Sequence, residues 1–281
     1  MPRKRRRISA FVKILLALTV ACGLLVGAGI YVMRSIKPLD LSPPPPEDGC
    51  RLVTEEDTDT LELEQAANAA TVAGVAFAMD LPQHAVVISY ATVWQESKFY
   101  NIEYGDRDSL GLFQQRPSME WGSPEEIIDP VYASTKFYEE LVQVEGYLDL
   151  PVHEAAQSVQ RSADGFAYDQ HEPRSRTMAA AFTGTEGAAL TCWFPEEEAG
   201  PTDLDAAVEE MRRVFGVGPE ELGTVQRQTG DLGWAMAQWA VAHASVYGIT
   251  SVTYLDRQWT ADSGEDGWQT VETVSEEIVL R

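Results

Sequence analysis

The chain has 281 residues, enough for one large or two modest domains with hydrophobic cores. It carries 44 acidic and 21 basic side chains, and eight of the basic ones lie in residues 1–37, which contain no acid. The remainder, with 13 basic and 44 acidic side chains, argues against a nucleic-acid partner, because neutralising phosphates requires clustered Lys and Arg.

The N-terminus predicts a membrane anchor. A basic tail, residues 1–13, precedes an uncharged stretch from Ile14 to Met33, and an apolar helix of about twenty residues spans a bilayer. By the positive-inside rule the tail is cytoplasmic, and the bulk of the chain lies outside the plasma membrane. Secretion after cleavage of a signal peptide is the alternative, because a basic start and an apolar centre suit both.

A proline-rich stalk and two cysteines follow. Residues 34–49 include four consecutive prolines, which predict a stiff, extended spacer. Beyond it, Cys50 and Cys192 are a candidate disulfide pair in an oxidising compartment, and two separate thiols are the alternative. A disulfide would mark residues 50–192 as one folding unit.

The next segments predict buried helices and a loop. Thr58–Met79 is rich in alanine and predicts a helix. Pro82 starts a second helix, whose residues Ala85–Trp94 are apolar on nearly all sides, which is typical of a buried central helix. Asn101–Glu120 contains glycines, a proline and several acids, so we expect a loop.

Two further helices are predicted before a polar segment. Asp129 and Pro130 begin a helix that runs to about Val144, and Val152–Arg161 forms a shorter one. The segment Tyr168–Arg176 is polar, and we expect it to be a loop.

A domain boundary is expected at Pro195–Pro201, where three glutamates lie between prolines. Beyond it, residues 202–281 predict a small α+β domain of unknown role. Its elements are an amphipathic helix over Leu204–Phe215, a second helix ending at Gly248, and short strands between residues 249 and 274.

Glu96 is the candidate for acid chemistry. It ends the most apolar helix of the chain, and burial among apolar side chains raises a carboxyl pKa because the charged form loses hydration. Such a carboxyl can protonate a leaving oxygen near neutral pH. The alternative is a solvated glutamate at a helix end, and Glu96 alone does not decide between the two.

The loop at Gly111–Gln114 adds a second motif. The glycine lets the backbone approach a ligand closely, and the Gln114 amide can bind sugar hydroxyls or acetamido groups. Taken alone, the motif is equally typical of a turn before a buried strand.

Together these segments resemble a known superfamily. Glu96-Ser97, followed by Gly111-Leu112-Phe113-Gln114 and then by the helix that begins at Asp129-Pro130, is similar to the lytic transglycosylase and goose-type lysozyme superfamily. The resemblance covers about residues 60–180 and is closest to membrane-anchored actinobacterial members. It implies a mainly α fold, with a lysozyme-like helical domain over residues 50–194 between the transmembrane helix and the small C-terminal domain.

The resemblance also implies an activity and its residues. The family cleaves peptidoglycan glycan strands and leaves 1,6-anhydromuramic ends. The chain itself has only four histidines and no cysteine cluster, so we expect no metal site and no cofactor. Glu96 matches the single catalytic acid and base, and Ser97 matches the residue that supports it. Gly111, Phe113 and Gln114 match the wall of the substrate groove.

One later segment departs from the family pattern. The family has an Ala-Tyr-Asn-Ala-Gly-like motif on a helix where this chain has Ala155–Gln160. The hydrogen-bonding groups at that place would then come from Gln157 or Gln160.

Three alternatives remain open from the sequence. Asp106 or Asp108 is a possible second carboxylate, which would activate water and make the protein an inverting muramidase. A catalytically inactive protein that binds glycan or a cell-envelope partner is the second alternative, with the C-terminal domain as a contact surface. A sugar-stacking role for the C-terminal tryptophans, Trp259 and Trp268, is the third.

Overall fold

The computed structural model describes residues 10–35, 47–161, 165–224 and 226–281. The chain divides into two units, Met1–Pro45 and Pro46–Arg281. In the first unit the described element is one helix, α1 (Ala10–Ser35). Within the described ranges, no helix has the length and hydropathy needed to cross a membrane.

Much of the N-terminal prediction falls outside the described residues. They exclude residues 1–9 of the basic tail, 36–46 of the stalk and the side chains at positions 29–33 of the expected span. The anchor and its orientation therefore stay predictions.

The protein is mainly α, as the sequence predicts, with about 54% of its residues in helices, and the described residues form two small antiparallel sheets. The helices of the second unit are α2 (Leu63–Ala78), α3 (Gln83–Glu96), α4 (Pro124–Ile128), α5 (Pro130–Leu141), α6 (Val152–Gln160), α7 (Glu172–Phe182), α8 (Leu204–Phe215), α9 (Leu232–Ala242) and α10 (Ala244–Tyr247). The strands are β1 (Gly49–Val53), β2 (Thr58–Leu61), β3 (Leu190–Trp193), β4 (Ser251–Thr260) and β5 (Gln269–Leu280).

Helix α2 lies at the centre of the core, because its small alanines let other helices approach on several sides. Helix α8 approaches α2 closely at Gly74. A Cβ atom at this position would lie 2.2 Å from a methyl carbon of Val214. The predicted start of this helix is wrong, since Thr58–Leu61 forms strand β2 and a capping box at Glu62 and Gln65 begins the helix.

A three-stranded sheet brings the two cysteines together. Its strand order is β2-β1-β3, and all pairs are antiparallel. Cys50 on β1 is directly opposite Cys192 on β3, and a disulfide bond joins them. The sheet thus ties the start of the compact unit to a strand 142 positions later.

The expected boundary at Pro195–Pro201 does not divide the core. Residues 46–281 form one compact unit, and α8 and α9 both pack against α2. Met236 and Trp239 of α9 are fully buried. The physical reason is that α9 is apolar on nearly every side, so it needs partners on every side, and the helices before residue 195 provide them.

The C-terminal strands form one long antiparallel ribbon of β4 and β5, in which Val252 pairs with Leu280. Trp259 on β4 is fully buried, and its indole nitrogen donates to the Cys192 carbonyl oxygen. The prediction that Trp259 stacks on a sugar is therefore wrong, because its ring is not exposed. Trp268 is half-buried and donates to the Leu190 carbonyl, so both tryptophans attach the ribbon to β3.

The polar segment Tyr168–Arg176 is not a loop. Residues Gly165–His171 form a 3-10 helix that leads directly into α7, with Pro173 in the first turn of α7. The outward face of α7 is charged, whereas Met178 and Phe182 are buried. The many polar residues on the outward face made the helical spacing of the buried residues hard to recognise, so the sequence predicted a loop.

Candidate active site

Helix α3 positions Glu96. Its residues Ala85–Trp94 are all buried, so the helix is fixed within the core along most of its length. Glu96 is its last residue, and the side chain is half-buried at the point where the helix leaves the core. The carboxyl group is therefore held by a rigid element and is partly removed from water.

The Glu96 carboxyl bonds to a tyrosine. The Tyr168 hydroxyl donates a hydrogen bond to Oε1 of Glu96 at 2.8 Å, and Tyr168 is 1% exposed. Burial raises the pKa of the Glu96 carboxyl above its usual value, and the hydrogen bond from Tyr168 opposes part of that rise. The net effect is upward, so a larger fraction of this carboxyl stays protonated near neutral pH than for a solvated glutamate.

The 3-10 segment that carries Tyr168 is attached to the neighbouring helices. His171 Nε2 lies 3.0 Å from Oε1 of Gln95, the residue before Glu96. His153 Nδ1 on α6 lies 3.4 Å from the Asp169 carboxylate. The His171 contact holds the segment against α3, and α6 packs beside it, so Tyr168 has a defined position.

The turn after Glu96 is held by buried hydrogen bonds. The Ser97 hydroxyl donates to the Leu112 carbonyl at 2.7 Å and links the end of α3 to the glycine-containing loop. In the sequence, only the spacing between Glu96-Ser97 and Gly111–Gln114 suggests that the two segments belong to one site. The structure joins them through this side chain, and Ser97 is buried.

Two residues of this turn have left-handed backbone angles. Lys98 has φ +56° and Phe99 has φ +65°, values that cost residues other than glycine on the order of 1–3 kcal/mol each. Two amide side chains on α2 compensate, because Gln65 donates to the Lys98 carbonyl and Asn68 to that of Phe99. The turn is thus imposed by its surroundings.

The loop at Gly111–Gln114 is packed tightly. Gly111 has φ +72°, and a Cβ atom there would lie 2.6 Å from the Ile127 carbonyl oxygen, so glycine is required. The Phe113 ring is buried and stacks on Phe137 at 4.6 Å between ring centres. The Phe113 ring therefore belongs to the core, and only the backbone of this residue is left to contribute to the predicted groove wall.

Gln114 and Gln160 bond to this loop in different ways. The half-buried Gln114 amide donates to the carbonyls of Gly111, at 3.2 Å, and Tyr104, at 3.4 Å, so it turns back onto its own loop. Gln160, at the end of α6, donates from Nε2 to the Phe113 carbonyl at 2.8 Å. Gln157, one turn earlier on α6, is half-buried. Gln160, one of the two glutamines expected to supply hydrogen-bonding groups at Ala155–Gln160, thus reaches the loop.

The two loop aspartates have different surroundings. Asp108 accepts hydrogen bonds from Arg116 Nε at 3.0 Å and from the backbone and hydroxyl of Ser118. These donors hold the pKa of the Asp108 carboxyl well below its usual range, because they stabilise the charged form. The Asp106 side chain is 92% exposed and lies 3.8 Å from Arg107. Asp108 therefore acts as an anchor of its loop, and Asp106 is solvated.

Tyr168 is the site residue that sequence reasoning missed. It lies 72 positions after Glu96, in a polar segment with no helical or strand periodicity. The signal that was available is indirect: the family that the sequence resembles has a tyrosine in its Ala-Tyr-Asn-Ala-Gly-like motif, and this chain has one at position 168, after the segment Ala155–Gln160. In the part of the chain that the structure describes, no cluster of three or more His, Cys, Asp or Glu residues has the arrangement of a metal site.

The chain matches no protein-family model and no curated protein sequence.

Proposed function

We propose that this protein is a lytic transglycosylase that cleaves peptidoglycan glycan strands, with Glu96 as general acid and then as base. The observation that carries the proposal is the Glu96 carboxyl at the end of a buried helix, with a raised pKa and a tyrosine hydroxyl on Oε1. General acid catalysis requires a carboxyl that is still protonated at the working pH.

Burial and the Tyr168 hydrogen bond shift the pKa of Glu96 in opposite directions, and each suits one of the two proposed steps, proton donation and proton removal. Desolvation favours the protonated form, which donates a proton to the glycosidic oxygen of the leaving sugar. The Tyr168 hydrogen bond stabilises the carboxylate that remains, and this carboxylate removes the proton from the muramic 6-hydroxyl. The 6-oxygen then closes on the anomeric carbon and gives the 1,6-anhydro end, so no second carboxylate is needed.

The surroundings of Asp108 favour this reaction over hydrolysis. In an inverting enzyme a second carboxylate accepts a proton from water, but Asp108 already accepts hydrogen bonds from Arg116 and Ser118. Asp106 is largely exposed. The site of action in this proposal is the outer face of the plasma membrane, which rests on the sequence pattern of residues 1–33.

The test is product analysis by mass spectrometry after incubation of the full chain, in detergent, with purified peptidoglycan. We expect anhydro-muropeptides from the unchanged protein and a loss of about 10²- to 10⁴-fold in rate for Glu96→Gln. Glu103→Gln, an exposed glutamate, is the matched control and should keep full activity.

Other products decide between the alternatives. Reducing-end products that disappear in Asp106→Asn or Asp108→Asn would make the protein an inverting muramidase. Binding to peptidoglycan that is equal for the unchanged protein and Glu96→Gln, with no products from either, would make it a glycan-binding protein and overturn the proposal.

A further inference from the structure

A polar pocket adjoins the loop of the candidate site. Its volume is about 380 Å³, and it is lined by the segment Gln114–Trp121, one face of α5 and the end of α6. This volume lies in the range of pockets that bind small ligands. Gln114 and Gln160 both line it, and Gln160 also bonds to the Phe113 carbonyl. The pocket is therefore continuous with the loop that Ser97 links to the end of α3.

The pocket carries charges of both signs. Arg116, Lys136 and Arg161 line it, although the chain beyond residue 37 has only 13 basic side chains against 44 acidic ones. Three carboxylates face the same space, namely Glu120, Glu139 and Glu140.

Some of these charges are already paired within the protein. Arg116 pairs with Asp108, and Lys136 pairs with Glu139 at 2.7 Å. Arg161 is exposed and forms no ion pair with another described residue, and the same holds for Glu120 and Glu140 among the described positions. Among the described residues the pocket thus offers one cation, Arg161, and two anions, Glu120 and Glu140, that form no ion pair within the protein.

The apolar part of the pocket is small. Trp121 is half-buried at the edge of the core, and Met119 is exposed beside it. Together they give room for short aliphatic side chains next to the charged groups.

We infer that this pocket binds the peptide attached to the glycan strand, a short peptide that carries both a carboxylate and an ammonium group. The inference rests on the proposed function and names the part of the substrate that this surface recognises. In a peptide-bearing strand the lactyl carboxyl of muramic acid is part of the amide bond to the peptide, so the sugars carry no charge and need no charged partners. A peptide carboxylate, in contrast, pairs with Arg161, and an ammonium group pairs with Glu120 or Glu140. A phosphate polymer fits less well, because three glutamates would repel it.

Direct binding provides the first test and needs no turnover. The probes are a muramic disaccharide with a peptide that contains a diamino acid, the bare disaccharide in which a methylamide on the lactyl carboxyl replaces the peptide, and a polyglycerol phosphate. Each is titrated by calorimetry into full-chain Glu96→Gln. We expect the peptide-bearing disaccharide to bind about tenfold more tightly than the bare one, as for one added charge-assisted hydrogen bond.

Substitutions of charged residues test whether the peptide binds in this pocket. Arg161 has φ +52°, so Arg161→Asn keeps a residue that tolerates the left-handed backbone and removes the charge. Arg107, with φ +60° and outside the pocket lining, gives the matched control Arg107→Asn. We expect Arg161→Asn to abolish the preference for the peptide, and Arg107→Asn to retain it. Glu140→Gln should reduce it.

The outcomes separate this inference from the proposed function. Equal binding of the two disaccharides, equal loss in Arg107→Asn and Arg161→Asn, or tighter binding of the phosphate polymer would overturn the inference, whatever the catalytic result. If bare glycan strands are cleaved in a Glu96-dependent way but the peptide adds nothing, the proposed function stands and the inference fails. If the peptide preference depends on Arg161 but no strand is cleaved, the pocket assignment stands and the enzyme proposal fails.

Discussion

The Tyr168 hydroxyl lies 2.8 Å from Oε1 of Glu96 and donates to it. The tyrosine is almost completely buried, so the donor side of this hydrogen bond is shielded from water, whereas the Glu96 carboxyl is only half-buried. The pair joins the end of α3 to a 3-10 helix that the sequence pattern assigns to a loop. It places one neutral donor on a carboxyl group whose pKa is raised by burial.

Removing the Tyr168 hydroxyl should change both the rate of glycan cleavage and the dependence of that rate on pH. In Tyr168→Phe we expect the rate of glycan cleavage to fall about tenfold to hundredfold, the usual effect of losing a hydrogen bond to a charged group. Because the Tyr168 bond lowers the pKa of Glu96, its loss raises that pKa. The alkaline limb of the profile of kcat/KM against pH, where the acid loses its proton, should move to higher pH.

Tyr247→Phe, on α10, is the control for loss of a half-buried tyrosine hydroxyl and should leave the profile unchanged. A slower Tyr168→Phe enzyme whose alkaline limb stays in place would show that Tyr168 acts only on structure.

The charged Glu96 carboxylate should lower the free energy of unfolding at neutral pH. A carboxyl whose pKa is raised on folding binds its proton more tightly in the folded protein than in the unfolded chain. The free energy of unfolding therefore falls as pH rises from the unfolded value, near 4.5, through the raised folded pKa. Glu96→Gln keeps an acceptor for Tyr168 without the charge, so the variant should be more stable than the unchanged protein above this window and equal to it below.

Urea unfolding at pH 4 and pH 8 measures this difference, and Glu103→Gln controls for removal of an exposed carboxylate. A gain in stability that is the same at both pH values would contradict a raised pKa at Glu96.

The left-handed turn after Glu96 should be relieved by glycine. Lys98 is exposed with φ +56°, so Lys98→Gly should raise the free energy of unfolding by about 0.5–1 kcal/mol. The same change at a helical position, Lys136→Gly on α5, should lower it by about 1 kcal/mol. Thermal unfolding of both variants measures the sign, and destabilisation by Lys98→Gly would mean that the lysine stabilises the turn in another way.

The disulfide should stabilise the compact unit through the length of the loop that it closes. The loop-entropy model gives about 4–5 kcal/mol for a separation of 142 residues. We expect the double variant Cys50→Ala and Cys192→Ala to lose stability by up to this amount in urea. Cys22→Ala, at the free cysteine of α1, should unfold like the unchanged protein.

Local patterns predicted many of the elements. The helices that carry Glu96 and Gln160 follow from apolar periodicity and the position of proline, because both signals act within a few residues. Strand β2 was missed because its four residues precede a helix without a break in composition, and strands form only where a partner is available. The sequence left the direction of the Phe113 ring open, because a ring's direction depends on what packs against it, here Phe137.

The sequence by itself determined the mainly α class, the candidate acid Glu96 and the loop at Gly111–Gln114, because charge, apolar runs and glycine act locally. Only the tertiary structure decided that Tyr168 bonds to Glu96, that Gln160 reaches the loop, and that the helices after residue 201 complete one core. These contacts join residues that are tens of positions apart. Their free energy comes from burial and hydrogen bonding between elements, which no local pattern contains.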